Sequence, residues 1–215
     1  LTGEFTLAQA REARMRSLFA SFDREIDAAI AEQAAQLYRQ QHQSNRHLLD
    51  GARDLLDALA GQCRLGIVTN NSTAEQIEKL RALDIAGYFD TIVISEDVGV
   101  TKPDPKIFAI ALERIGAKPH ETVFIGDNWA NDIVGATAVG MAAVWLGRGS
   151  QTQALERLAD QKWPETRTNA GVSSPPVEII HSLAPTASVM AAIKTAFEKR
   201  TPGAEKNEQL ETLAS

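Results

Sequence analysis

The chain has 215 residues, 44% of them hydrophobic, with 22 Lys and Arg against 28 Asp and Glu for a formal net charge of −6. That length suits one domain, or one with a small companion, and the apolar fraction supports a sizeable core. The acidic balance argues against nucleic acid as a partner, no run of about 18 apolar residues offers a membrane span, and the lone Cys63 excludes an internal disulfide and suits a reducing, cytoplasmic setting.

From Leu7 to about Tyr38 the period is helical. Met15, Leu18, Phe19, Phe22, Ile26, Ile30 and Leu37 recur at spacings of three and four, an apolar stripe on a polar surface rich in Ala and Gln. Asp23 is a candidate break between two helices. The stretch 40–47 is polar, lacks periodicity and reads as a linker. The first 47 residues thus form a helical unit that needs a partner to bury its stripe.

Beyond the linker, strands alternate with helices. Asp50 is placed to cap a helix carrying Leu55, Leu56 and Leu59, ended by Gly61. Residues 64–69 read as a buried strand, and Ser72 and Thr73 with Glu75 and Gln76 offer a capping box for a helix bearing Ile77, Leu80 and Leu83. Residues 91–95 form the next strand. Asp104 and Pro105 open a helix with Ile107, Phe108, Ala111, Leu112 and Ile115, closed by Gly116. Val123 to Ile125 is a strand, Asp132 to Val139 a helix stopped by Gly140, and Ala142 to Leu146 another strand. Gln151 to Asp160 is expected to be helical, 161–176 to be a loop, Val177 to Ile180 a short strand and Ser188 to Lys199 a closing helix. The polar tail beyond it is expected to be disordered. Continuous apolar strands between amphipathic helices define a doubly wound α/β core with a parallel sheet covered on both faces.

In an open parallel sheet, ligands bind at the carboxyl ends of the strands. Thr69 lies at one such end and Gly126-Asp127 at another. Asp127 and Asp132 suit Mg²⁺, which takes few carboxylates and keeps waters and a substrate phosphate oxygen; equally, Asp127 or Asn128 could cap the next helix and Asp132 favour its dipole. Thr69 and Asn70 offer a hydroxyl and amide donors to phosphate oxygens, or form an ordinary loop and cap. Lys102 stands at the threshold of a helix, where a cation opposes the macrodipole by about 0.3–1 kcal/mol. Held between that helix and Pro103, it points to an anion that needs its charge. Trp129, between the two acids, either closes the site or covers a helix end. The four histidines, His42, His47, His120 and His181, have no metal-ligand spacing.

Three stretches in order carry a resemblance: Ile67-Val-Thr69-Asn70-Asn71, Lys102-Pro-Asp-Pro105, and Gly126-Asp127-Asn-Trp-Ala-Asn-Asp132. Together they resemble the second, third and fourth motifs of the haloacid dehalogenase (HAD) superfamily, in its cap-bearing phosphatase branch, over about residues 48–147. The resemblance implies a Rossmann-like core over 48–199, part of a helical cap over 1–47, and a tail over 200–215. It further implies hydrolysis of a small phosphorylated metabolite, of the nucleotide or sugar phosphate class, through an aspartyl-phosphate. Thr69, with Asn70, would bind phosphoryl oxygens, Lys102 would neutralise developing charge, and Asp127 and Asp132 would hold Mg²⁺. Members that act as pyrimidine nucleotidases or sugar phosphatases are closer in pattern than 2-haloacid dehalogenases, which lack the acidic pair.

The family's first motif, Asp-x-Asp at the end of the first strand, occurs nowhere in the 215 residues. The resemblance therefore implies a core lacking its first central strand, between those ending at Thr69 and Asp127. The expectation is a chain that continues upstream into that strand and is inactive as it stands. The alternative is a non-catalytic, phosphate-binding or interaction protein of the same fold.

Overall fold

The computed structural model describes residues 7–147 and 177–200. They divide between two units, Leu1–His47 and Leu48–Ser215. The expectations for 151–176 and 201–215 lie outside the described residues.

The first unit is a pair of helices, α1 (Leu7–Ala20) and α2 (Ala28–Ser44). The break falls where Asp23 adopts a left-handed φ of 56°, a conformation that Asp tolerates better than most residues. Asp27 then caps α2 by accepting from the Ile30 amide at 2.8 Å, which satisfies one of the orphan donors of the first turn. Helix α2 runs to Ser44, into the stretch expected to be linker, because a Gln-rich sequence is a good helix former even without an apolar face. Of the predicted stripe, Met15 is buried while Leu18, Phe22, Ile30 and Leu37 are exposed.

The second unit alternates strand and helix as expected. Strand β1 (Gly66–Thr69) pairs in parallel with β2 (Thr91–Ile94), with Thr69 beside Ile94. Strand β3 (Val123–Gly126) pairs in parallel with β4 (Ala142–Leu146), and β4 with β5 (Val177–Ile180). Among the described residues β1 and β3 do not pair, so the parallel core is present as two sheets, of order β1-β2 and β3-β4-β5. No helix among the described residues is long and apolar enough to cross a membrane.

Every residue of β4 is buried, and its period of two sends its side chains to two different cores. Ala142, Val144 and Leu146 pack with Leu55 of α3 (Ala52–Leu59) and with Val189, Ala192 and Ala196 of the last helix, Thr186–Arg200. Ala143 and Trp145 pack with Ile133. A third core joins Val93 of β2 to Ile107, Phe108, Ala111 and Leu112 of a helix at Pro105–Ile115, and to Ala136 of a short helix at Val134–Ala138. Among the described residues the α-helices of this unit, in chain order, are α3, α4 (Thr73–Ala82), α5 (Ser95–Val98), α6 (Pro105–Ile115), α7 (Val134–Ala138) and α8 (Thr186–Arg200). Gly135 is required at the α6–α7 crossing, because a Cβ there would lie 2.5 Å from the Phe108 ring.

Several local expectations change. Gly51, not Asp50, precedes α3, in a left-handed conformation. Ser72 makes no side-chain cap of α4; Asn71 Oδ1 instead accepts from the Ser72 amide at 2.9 Å, and the Thr73 amide donates to Glu96 Oε2 at 2.8 Å. Asp132 does not open an α-helix. It lies in a single π-helical turn, Trp129–Ile133, from which α7 follows; such turns are rare and bulge the backbone locally. The Asp104 cap of α6 holds as predicted, accepting from the Lys106 amide at 2.8 Å, with Pro105 in the first turn and Gly116 ending the helix.

Candidate active site

The carboxyl ends of β1 and β3 carry Thr69 and Gly126, and the residues just beyond them are tied to Lys102. Asn70 uses its whole side-chain amide on that residue's backbone: Oδ1 accepts from the Lys102 amide at 2.7 Å and Nδ2 donates to the Lys102 carbonyl at 2.9 Å. The approach to α6 is thereby clamped to the end of β1. The lysine side chain turns inward, where its Nζ donates to the Val68 carbonyl of β1 at 2.8 Å and to Asp132 Oδ1 at 2.6 Å. Both charged side chains are largely enclosed, 12% and 6% exposed, and the ammonium also lies 5.5 Å from the centre of the Phe124 ring. A charge pair this enclosed needs every oxygen and proton matched. Asp132 Oδ2 is matched by the Asn128 amide at 3.0 Å, while the Asp132 amide donates to the Asn128 carbonyl at 2.7 Å.

This fold-back of Asp132 explains the glycine before Asp127. A Cβ on Gly126 would sit 2.4 Å from the Asp132 Cβ and 2.5 Å from its Oδ2, so only Gly lets the carboxylate close over the strand end. Asn128 Oδ1 accepts from the Asn131 amide at 2.9 Å, the cap foreseen for this loop. Asp127 itself is exposed at the mouth. Its carbonyl accepts a hydrogen bond from the indole of Trp145 at 3.1 Å, and Trp129 meets Trp145 edge to face, with ring centres 5.0 Å apart.

Thr69, Asn70, Lys102, Asp127 and Asp132, separated by up to 63 positions in the sequence, thus converge on the carboxyl ends of the two sheets. Lys102 and Asp132 touch directly; Asn70 touches Lys102 through its backbone. Glu96 and Asp97 join this end by binding Thr73, the latter through the Thr73 hydroxyl. No group of three or more His, Cys, Asp or Glu side chains able to enclose a metal occurs among the described residues. The donor set fits Mg²⁺ in a restricted way. Asp127 is an exposed carboxylate at a strand end, the kind of single ligand that Mg²⁺ takes while keeping waters and a phosphate oxygen. Asp132 has both oxygens engaged within the protein.

A separate open cavity of about 890 Å³ lies at the opposite, amino ends of β1 and β2, lined by Arg53, Cys63, Arg64, Tyr88 and Asp90 among others. Its arginines are committed to backbone: Arg53 bonds the Leu83 and Asp84 carbonyls, and Arg64 those of Ile115 and Gly116. It gathers no convergent reactive set.

The fold and site define a parallel α/β class of protein with a threonine, a largely enclosed lysine and a Gly-Asp loop at its strand ends. The model of the haloacid dehalogenase-like hydrolase family matches residues 4–146, and the chain belongs to that family. It is 44% identical over 102 residues to a glyceraldehyde 3-phosphate phosphatase of Methanopyrus kandleri, covering 47% of this chain and 43% of that one. It is 42% identical over 106 residues to the pyrimidine 5'-nucleotidase YjjG of Escherichia coli, covering 49% and 47% respectively. The chain thus matches less than half the length of these two relatives. The magnesium-bound crystal structure of YfnB from Bacillus subtilis superimposes with a TM-score of 0.62 at 26% identity, over 87% of this chain and 73% of that one.

Proposed function

We propose that this chain carries the lysine and metal side of a Mg²⁺-dependent phosphoric monoester hydrolase acting on a small phosphorylated metabolite in a reducing, cytoplasmic setting. The observation that supports it most is the Lys102 ammonium, drawn under the strand ends by Asp132 and the Val68 carbonyl beside Thr69. A cation held so rigidly is preorganised for charge that develops on a phosphoryl group and needs no reorganisation when it does. The named activities of the relatives, on glyceraldehyde 3-phosphate and on pyrimidine nucleotides, agree with a phosphorylated substrate of small size.

Thr69 offers its hydroxyl to a phosphoryl oxygen. Lys102 offsets the negative charge of nucleophile and phosphate. Asp127 holds Mg²⁺, which when bound neutralises phosphate oxygens and orients them for in-line displacement. We assign two residues roles other than those the resemblance implied. Asp132, both oxygens occupied, supports the site by fixing Lys102 and the Asn128 amide rather than by ligating metal. Asn70, its amide occupied by the Lys102 backbone, positions that lysine rather than touching substrate. The Asp-x-Asp pair from which the resemblance draws the attacking carboxylate does not occur in the 215 residues.

The test is turnover of p-nitrophenyl phosphate with Mg²⁺, by the chain alone and by the chain extended with its upstream coding sequence. The expected result is no turnover by the chain alone, and Mg²⁺-dependent turnover by the extended protein that falls at least 100-fold in Lys102→Ala, the order lost with one electrostatic stabiliser. Turnover that survives both Lys102→Ala and chelation would place the chemistry elsewhere. The absence of Asp-x-Asp from the sequence favours one second reading, a phosphate-binding protein without turnover. An upstream sequence without that motif, together with phosphate binding by the extended chain, would establish it.

A further inference from the structure

We infer that Trp145 is a positioning residue for Asp127, holding the carboxylate loop through the loop's own backbone. The inference rests on the reading of Asp127 as the metal-facing carboxylate. Trp145 stands in β4 directly beside Gly126 of β3, and it is 2% exposed. A buried indole N–H must find an acceptor, or it carries the full penalty of desolvation. Here the acceptor belongs to no regular element: it is the carbonyl of Asp127, the first residue past the strand. Phe or Leu could fill the same volume between Ile133 and Ala143, but neither could make that bond.

The consequence for Asp127 is geometric. Asp127 follows Gly126, the last residue of the β3–β4 register, so its carbonyl lies beyond that ladder. The rotation about ψ of Asp127 would carry Asn128 and the π-helical turn with it. The indole bond stops that rotation from the carbonyl side, and the Trp129 ring, edge to face on Trp145, stops it from the far side of the turn. The Asp132 carboxylate on the Asn128 amide closes the third side. The Asp127 carbonyl and the Asn128 N–H share one peptide plane, so Trp145 and Asp132 hold that plane from its two edges, and Trp145 supplies the hold on the carbonyl edge.

A ligand whose competent conformation is populated only in part binds with an affinity reduced by that fraction. Trp145→Phe keeps the ring and removes the donor. Losing one such bond is expected to loosen the loop by about 2- to 10-fold. The experiment is hydrogen exchange on the metal-free chain, parent against Trp145→Phe, followed by titration with Mg²⁺ alone read by calorimetry. Faster exchange confined to amides 128–133, by that factor, with the amides of 142–146 unchanged, is the expected result. A Mg²⁺ affinity weaker by a similar factor should accompany it.

Exchange raised uniformly through β3, β4 and the loop would make Trp145 a core residue only and overturn the inference, as would an unchanged loop. Local loosening with unchanged Mg²⁺ affinity would overturn its link to the metal while leaving the metal reading intact. No Mg²⁺ binding by the parent chain, nor by the upstream-extended protein, would instead overturn the metal reading itself. Trp129→Phe, which keeps an aromatic edge and the indole bond, is expected to change loop exchange less than Trp145→Phe; the reverse order would assign the hold to ring packing and refute the role given to the N–H.

Discussion

Replacing Lys102 with Met removes the ammonium and keeps most of the apolar stem, so packing along Phe124 is largely retained. What remains is Asp132, its side chain 6% exposed and held by the Asn128 amide. Breaking an enclosed pair from one side costs about 3–5 kcal/mol, mostly because the remaining charge is buried without its counter-ion. The Val68 carbonyl loses its Nζ donor as well, a further ~1 kcal/mol. At about 2–4 °C per kcal/mol for a unit of this size, Lys102→Met should lower Tm by roughly 8–24 °C. Asp132→Asn breaks the same pair from the other side, leaving the enclosed ammonium without its counter-ion, and should cost about 3–5 kcal/mol as well. In the double variant the uncompensated charge is gone, so its loss should fall short of the sum of the two by at least ~2 kcal/mol. Urea unfolding of the parent and the three variants, followed by circular dichroism, measures that coupling directly. Additivity within about 0.5 kcal/mol, the tolerance of independent sites, would refute the claim that the two side chains form one unit.

Gly135→Ala should be destabilised by about 1–3 kcal/mol, the usual range for overpacking, since its methyl would meet the Phe108 ring and the Pro103 Cα; an unchanged urea midpoint would show that α6 and α7 are not in tight contact. Asn70→Leu should lose about 1–2 kcal/mol through its two bonds to the Lys102 backbone, and the Lys102 amide should exchange faster while that of Ile94 does not. Cys63 has its thiol pKa raised, first by burial and then by the Asp90 charge, so its alkylation by iodoacetamide should reach half-maximal rate at a higher pH than an ordinary thiol. The folded state therefore holds that proton more tightly, and the stability this contributes is present at neutral pH and is lost as pH rises through the folded pKa. A midpoint at or below that of a free thiol would show that neither partial shielding nor the Asp90 charge acts on this exposed residue.

The parts of the fold that were legible beforehand are those whose signal is local and periodic. The runs at Thr91–Ile94 and Ala142–Leu146 could be placed because continuous apolar β-branched or small residues between helical patterns mean a two-sided strand. Thr69, Lys102 and the Gly-Asp loop could be placed at one end because strand polarity dictates where loops gather. The division of labour among them could not be read. Lys102 and Asp132 are 30 positions apart, and nothing in either sequence neighbourhood distinguishes a carboxylate that faces a metal from one that holds an ammonium. Asn70 looked like a donor to substrate because an Asn beyond a strand end is free to be one; its backbone clamp emerges only when α6 is folded against β1. The π-helical turn at Trp129–Ile133 breaks the 3.6-residue period on which helix boundaries are read. Trp145 gave no functional signal at all, since a Trp in a buried strand is ordinary core until its N–H finds a carbonyl outside the sheet.

The pair of hydrogen bonds between the Asn70 side chain and the Lys102 backbone reproduces, with side-chain atoms, the two-way exchange that opposite residues make in a ladder. Mechanically it makes the end of β1 and the entrance to α6 a single jaw, in which Thr69 and Lys102 cannot move separately. The Asp127 loop belongs to the other sheet and forms the opposing jaw. Where the two meet, the grip is ionic, through Lys102 and Asp132. Any widening or narrowing of the mouth therefore strains one enclosed ion pair at the strand ends and, behind it, the apolar core in which Phe108 meets Val93 and Ala136.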